Sequence, residues 1–209
     1  MFGIKILETA ESPYNGEIKV IKTIEGTRIV VGGLSQSGWL VKRVWKEALK
    51  KIKKIRPSLQ DVLLLGLGGG SAMELVDEYW PESRKTGVDI DDKIVNMGKK
   101  YLHTDEIKNL TIKIADASLW VERNIGKNKY DLILVDLYKG GQIPEKFTNV
   151  AFMKNIKRLL KPEGLAAFNH LYSWEEKADA DIFEQNLRQV FSAKTHVLPE
   201  ANIIFICYS

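Results

Sequence analysis

The chain is poor in the residues that staple small folds or bind metals: one cysteine, three histidines and six prolines in 209 residues. A single Cys207 excludes an intrachain disulfide, and without paired His/Cys spacing no metal site is expected. Cys207 sits in the apolar run Ile203-Ile204-Phe205-Ile206-Cys207, which reads as a buried structural thiol. Long apolar runs are also missing. None reaches the roughly 20 residues a membrane-spanning helix needs. Met1-Phe2-Gly3-Ile4-Lys5 lacks the layout of a secretory leader, so the cytoplasm is the expected location. Charge of one sign is lacking as well: 31 Lys and Arg against 27 Asp and Glu leave a net +4. The basic residues are scattered rather than gathered with aromatics into a groove, so nucleic acid is not indicated as a partner. No internal repeat, low-complexity tract or long linker is visible.

What is present is a nucleotide-binding pattern. Val62-Leu63-Leu64-Leu65 reads as a buried parallel strand, Gly66-Leu67-Gly68-Gly69-Gly70 as a tight turn, and Ser71 as the start of a helix. About 20 residues further on, Val88-Asp89-Ile90-Asp91 closes a second strand with acids, the spacing of a βαβ unit that holds a ribose. Glycines let backbone approach a ligand closely and leave helix N–H groups facing it. The Asp89 carboxylate offers acceptors to two ribose hydroxyls. A ligand with an adenosine-like part is therefore expected.

Organisation follows from turn signals and periodicity. Residues 4–8, 17–21 and 28–31 read as strands, separated by Pro13-Tyr14-Asn15-Gly16 and Glu25-Gly26. A helix is predicted from Ser35 or Gln36 to about Lys53, with Trp39, Val44, Trp45, Ala48, Leu49 and Ile52 as its buried stripe. From residue 61 strands alternate with helices: strands near 61–65, 84–89, 110–114, 130–136, 164–170, 193–198 and 202–208, and helices near 71–79, 91–101, 118–124, 147–160 and 175–190. Pro199-Glu200-Ala201-Asn202 is too short for a crossover, so the last two strands must pair antiparallel. A parallel sheet ending in an antiparallel hairpin predicts an α/β chain with the class I S-adenosylmethionine-dependent methyltransferase (Rossmann-like) fold and an N-terminal β lobe. Two domains are expected: 1–56, a β-hairpin lobe plus helix, and 57–209, the Rossmann-like cosubstrate-binding domain.

The sequence also resembles the spermidine synthase family of aminopropyltransferases and its methyltransferase-like relatives. The likeness is carried by Gly32-Gly33-Leu34-Ser35-Gln36-Ser37, Trp45-Lys46-Glu47, the glycine turn, Val88-Asp89-Ile90-Asp91, Ile114-Ala115-Asp116-Ala117, Tyr130-Asp131-Leu132-Ile133-Leu134-Val135-Asp136 and Ile156 to Gly164, in that order. The resemblance implies a cosubstrate, S-adenosylmethionine or its decarboxylated form. It assigns the binding of that cosubstrate to Gln36, Gly66, Gly68, Gly70, Asp89, Ile90, Asp116, Ala117 and Asp136. Asp89 would hold the ribose, and Asp116 would accept from the adenine amino group while serving as a helix N-cap. Asp136 and Tyr138 are the implied catalytic residues, Asp136 orienting the acceptor or taking its proton. Tyr138 stacks on the acceptor or packs on its own domain. Tyr14 and His170 lie at the edges of the same reading, and a homodimer is expected by resemblance alone.

Three departures qualify that likeness. The family's glycine turn carries an acid where this chain has Gly69. Its acidic motif after the fourth strand reads here Asp136-Leu137-Tyr138-Lys139, with lysine in place of the second acid. Its acid-rich acceptor wall corresponds to Trp39-Leu40-Val41-Lys42. A polyamine cation needs carboxylates to replace its hydration. The expected function is thus methyl transfer from S-adenosylmethionine to an unknown acceptor, a small molecule or a protein. The alternatives are polyamine aminopropyl transfer from the decarboxylated donor, or a binding or assembly protein without catalysis.

Overall fold

The computed structural model describes residues 3–127 and 129–209; Met1, Phe2 and Asn128 lie outside it. Four strands open the chain: β1 (Lys5–Ser12), β2 (Gly16–Thr23), β3 (Gly26–Val31) and β4 (Leu34–Gly38) form an antiparallel meander. Then come α1 (Trp39–Ile55), β5 (Asp61–Leu65), α2 (Ser71–Tyr79), β6 (Arg84–Asp89), α3 (Asp92–Leu102), β7 (Leu110–Ile114), α4 (Ala117–Asn124) and β8 (Tyr130–Val135). The chain closes with α5 (Val150–Leu159), β9 (Leu160–Leu171), α6 (Lys177–Arg188), β10 (Ala193–Val197) and β11 (Asn202–Tyr208). The second sheet has the order β10-β11-β9-β8-β5-β6-β7. Strands β5 to β9 run parallel, and β11 pairs antiparallel with both β9 and β10, as the short 198–201 link requires.

The apolar run of β5 follows from burial on both faces. Val62 and Leu64 enter one core layer with Trp45, Ala48, Met73 and Val76, while Leu63 and Leu65 enter the other with Val121, Met153 and Ile156. Alternation along β11 divides Ile204 and Ile206 from Ile203, Phe205 and Cys207 in the same way. Cys207 is fully buried and its thiol pKa is pushed up to about 12 by desolvation, which suits a packing role and not a nucleophile. Ile18, Val20, Ile29 and Val31 of the meander join the first layer, so the N-terminal sheet and the parallel sheet share one core.

The expected helix start at Ser35 or Gln36 is corrected. Residues 34–38 form β4, paired with β3, and α1 begins at Trp39. Ser35, Gln36 and Ser37 are polar, and Gly38 has φ +115, a backbone that turns the strand abruptly into the helix. The long-range partners of β4 decide the matter. Gly69 N–H donates to Ser37 Oγ at 2.6 Å, and Gly38 N–H donates to Ser71 Oγ at 2.7 Å. The helix expected from 147 also begins later, at Val150, where the Asn149 side chain accepts from Phe152 N–H at 2.9 Å. A one-turn 3-10 segment, Glu145–Phe147, precedes it. Among the described residues no helix is long and apolar enough to cross a membrane.

Candidate active site

The glycine turn lies where β5 and β8 end side by side. A Cβ on Gly66 would stand 2.0 Å from the Asp136 carbonyl oxygen, and its φ is +87. Only glycine permits these strand ends to come this close. The N–H groups of Gly66 and Leu67 both donate to the Val88 carbonyl, at 2.9 and 3.0 Å. Gly68 N–H donates to Asp89 Oδ2 at 2.6 Å, which ties the turn to the end of β6. A second tie holds the first hairpin. Buried Asp91 accepts from the Ser12 hydroxyl at 2.5 Å and from Asn15 Nδ2 at 2.6 Å, bringing Pro13, Tyr14 and Asn15 over the carboxyl rim of the sheet.

Between these ties opens a cavity of about 720 Å³. Gln36, Gly66, Gly68, Asp89, Ile90, Asp116, Ala117, Asp136 and Tyr138 all line it, and Tyr14 joins them. They come from six separate stretches of sequence. Gly70 does not belong to this lining. It precedes α2 with φ +86, and a Cβ there would meet Thr104 Cγ2 at 2.4 Å. Its glycine is required by the packing of Thr104 rather than by a ligand.

Three carboxylates differ in their surroundings. Asp89 loses solvent at the cavity floor, and this desolvation lifts its pKa to about 6 against the pull of backbone N–H groups from Asp91 and Gly68. Asp116 is also desolvated, but Lys146, the Ser118 side chain and the Leu119 N–H outweigh that effect and lower it to about 2. Asp116 Oδ1 caps α4, accepting from Ser118 N–H at 2.9 Å and Leu119 N–H at 3.2 Å, so the N-cap role expected from sequence is present. Burial raises the Asp136 pKa, opposed by two donors: Asn169 Nδ2 to Oδ1 at 2.9 Å and Trp45 Nε1 to Oδ2 at 2.8 Å.

Trp45 and Asn169 are the site residues that sequence reasoning missed. Trp45 reads as one more member of an apolar stripe, and it is indeed fully buried. Periodicity reports the face a residue occupies, not the partner its ring nitrogen finds. Trp45→Phe keeps the shape and removes the donor, which for a charge-accepting hydrogen bond costs about 1.5–3 kcal/mol. The variant is expected to shift the Asp136-dependent limb of a pH–rate profile to higher pH, because its carboxylate loses stabilisation. A limb that stays in place would show that Asp136 does not titrate in the reaction.

Other expectations need correction. Leu40, Val41 and Val44 form the α1 wall of the cavity, whereas Trp39 and Lys42 do not line it. Trp39 lies under the Arg43 guanidinium, 5.6 Å from its ring centroid, and Lys42 pairs with Glu74. The helix period turns residues 40, 41 and 44 to one side and 39 and 42 away. Gly69 also points elsewhere: its Cβ direction meets Ile29 Cδ1 at 2.7 Å, Ser37 Cβ at 2.9 Å and Leu102 Cδ1 at 3.0 Å. Tyr138 packs on its own domain, its hydroxyl donating to the Asn169 carbonyl at 3.3 Å. Burial and the nearby Asp136 charge hold its pKa well above the ordinary phenol value.

His170 faces a second cavity, of about 520 Å³, which shares Tyr138, Gly141 and Leu171 with the first. Its ring Nδ1 lies 2.7 Å from the Leu171 carbonyl. Four acids line this second space: Glu145 from the 3-10 segment, and Glu175, Glu176 and Asp179 at the start of α6. No lysine or arginine lines it. Among the described residues none of the four acids enters an ion pair with a basic side chain, and Glu176 accepts from the Ser173 hydroxyl. The loss of the family's acids at Gly69, Lys139 and residues 39–42 therefore does not leave the neighbourhood of the site without negative charge. Glu145 comes from the 3-10 segment and the other three from the N-terminal end of α6 and the residues before it, and periodicity does not report that these two stretches meet.

Comparison with known proteins agrees with this architecture. A polyamine aminopropyltransferase of Vibrio vulnificus is 30% identical over 133 residues, 61% of this chain and 44% of that protein. A Drosophila melanogaster protein named eEF1A lysine and N-terminal methyltransferase homolog is 29% identical over 156 residues, 71% of this chain and 23% of that protein. The chain spans about half the length of the curated aminopropyltransferases it matches. In fold it is similar to a probable spermidine synthase from Corynebacterium glutamicum, with TM-score 0.81 and 19% identity, covering 98% of this chain and 80% of that one. The family profile described as Spermine/spermidine synthase domain matches residues 39–207, from the first residue of α1 into the last strand, and the chain therefore belongs to that family.

Proposed function

We propose that the protein is a transferase that moves an aminopropyl group from decarboxylated S-adenosylmethionine onto a cationic amine. The observation that carries this reading is the adjacency of two unlike cavities that share Tyr138, Gly141 and Leu171 in their linings. One has ribose- and base-type acceptors, Asp89 and Asp116, and the other has four acids without basic partners. A carboxylate and an ammonium about 4 Å apart attract by about 4 kcal/mol at a surface-like dielectric. Such attraction supports an acceptor with several amines, held at its charged end while one neutral amine reaches Asp136. The relatives' name, polyamine aminopropyltransferase, supports the same choice over methyl transfer.

The chain's residues have distinct tasks in this scheme. Gly66, Gly68 and Asp89 hold the donor's ribose and thioether region against the strand ends. Leu40, Val41 and Val44 exclude water beside it. The acceptor nitrogen forms a C–N bond with its lone pair as the C–S bond breaks, and the sulfonium leaves as a neutral thioether. The charged amine that results gives up its proton to Asp136, whose burial suits it to take one. Alignment of nucleophile and leaving group supplies most of the rate in such a displacement.

One observation favours a second reading, methyl transfer from S-adenosylmethionine. Lys139 lines the donor-type cavity and has no ion-pair partner among the described residues. It offers a cation to a carboxylate that only the unmodified donor carries. Turnover with each donor and a diamine separates the two. Aminopropyl product with the decarboxylated donor is expected, and Glu175→Gln with Asp179→Asn should raise the acceptor KM roughly tenfold, the loss of about 1.4 kcal/mol. Methylated product alone, or an acceptor KM indifferent to those acids, would reject the proposal.

A further inference from the structure

Asp116 divides its oxygens between two tasks. Oδ1 is spent on the start of α4, where it accepts from the Ser118 and Leu119 N–H groups and from the Ser118 hydroxyl at 2.6 Å. Oδ2 is taken by Lys146 Nζ at 2.5 Å. Lys146 belongs to the 3-10 segment Glu145–Phe147, and its ammonium lies 4.9 Å from the Phe147 ring centroid. Both partners line the donor-type cavity. The end of β7 thus offers a ligand one remaining lone pair on Asp116 Oδ2, beside the Lys146 ammonium. It offers an ammonium with three donors, one of which is already used.

The consequence is a competition at the base. A base amino group that donates to Asp116 Oδ2 must share that oxygen with Lys146 and brings its hydrogens close to the ammonium. A base carbonyl accepts from a remaining Lys146 donor with the ion pair left intact. We propose that Lys146 determines base selectivity at this cavity, lowering its preference for a 6-amino purine over a 6-oxo purine. This rests on the nucleoside-donor reading above. The pair is part-exposed, Lys146 by 49% and Asp116 by 17% of their side chains, so the ammonium can shift aside and the effect is one of selectivity rather than of closure.

The test is calorimetric binding of methylthioadenosine and methylthioinosine to the wild-type chain, Lys146→Met and Lys146→Arg. Lys146→Met leaves Asp116 Oδ2 unshared for an amino group and removes the donor to a carbonyl. The adenosine-to-inosine affinity ratio should rise about tenfold, roughly the worth of one charge-assisted hydrogen bond exchanged. Lys146→Arg should return the ratio to the wild-type value, which a merely structural role for residue 146 does not require. An unchanged or lower ratio in Lys146→Met overturns the inference while leaving donor binding intact. Binding of neither nucleoside to any of the three proteins overturns the donor reading and this inference with it.

Discussion

Asp89→Ala is expected to weaken binding of the adenosyl donor roughly 100-fold, since a ribose loses two hydrogen bonds to a charged acceptor worth about 3 kcal/mol together. The affinity should also depend on pH with a midpoint near the Asp89 pKa of about 6. Above it the carboxylate accepts from both hydroxyls; below it one oxygen is a donor and binding declines. Folding stability moves in the opposite direction. Desolvation raises this carboxyl above its ordinary 3.8. Between the two values the native chain holds a proton that the unfolded chain has released. The Asp89 contribution to stability therefore falls as pH rises through that window. Titration calorimetry across pH 5 to 8 on the natively folded variant and wild type would settle the assignment. Equal affinity of the two proteins for methylthioadenosine at neutral pH would remove Asp89 from the site.

Gly69→Asp is expected to destabilise the fold by about 3 kcal/mol, the upper range for overpacking, lowering the melting temperature by roughly 10 °C in a chain of this size. The new side chain would enter Ile29, Ser37 and Leu102, and Gly98 of α3 already packs on the Gly69 backbone, with its own Cβ position 2.5 Å from Gly69 Cα. A carboxylate among those groups would also lack a partner. Gly69→Ala should show most of the same loss, because the obstruction begins at Cβ. If instead Gly69→Asp melts like the wild type and alters only the preference between S-adenosylmethionine and its decarboxylated form, residue 69 faces the donor after all.

The Rossmann-like sheet was legible because its cause is local. Continuous apolar runs such as Val62 to Leu65 report strands buried on both faces, and a four-residue link such as Pro199 to Asn202 leaves only antiparallel pairing. The donor-type cavity was largely legible for a related reason. Residues at the carboxyl ends of adjacent parallel strands converge wherever the order of strands brings them together, so Gly66, Asp89, Asp116 and Asp136 could be grouped before their distances were known. Strand β4 was not legible. Ser35, Gln36 and Ser37 carry no strand propensity of note; pairing with β3 makes them a strand, and bonds from Gly69 to Ser37 and from Gly38 to Ser71, more than 30 residues away, hold its end.

The amino-acid pattern alone determined that this chain builds a doubly covered parallel sheet with an acid-bearing rim, since periodicity and turn chemistry act between near neighbours. Tertiary structure alone decided what each rim acid faces. Trp45 and Asn169 clasp Asp136, Lys146 pairs with Asp116, and Glu145 lines one cavity with Glu175, Glu176 and Asp179. Those contacts join side chains brought together by loop paths, and the electrostatic energy of a carboxylate depends on distance and desolvation, neither of which is written in the order of residues.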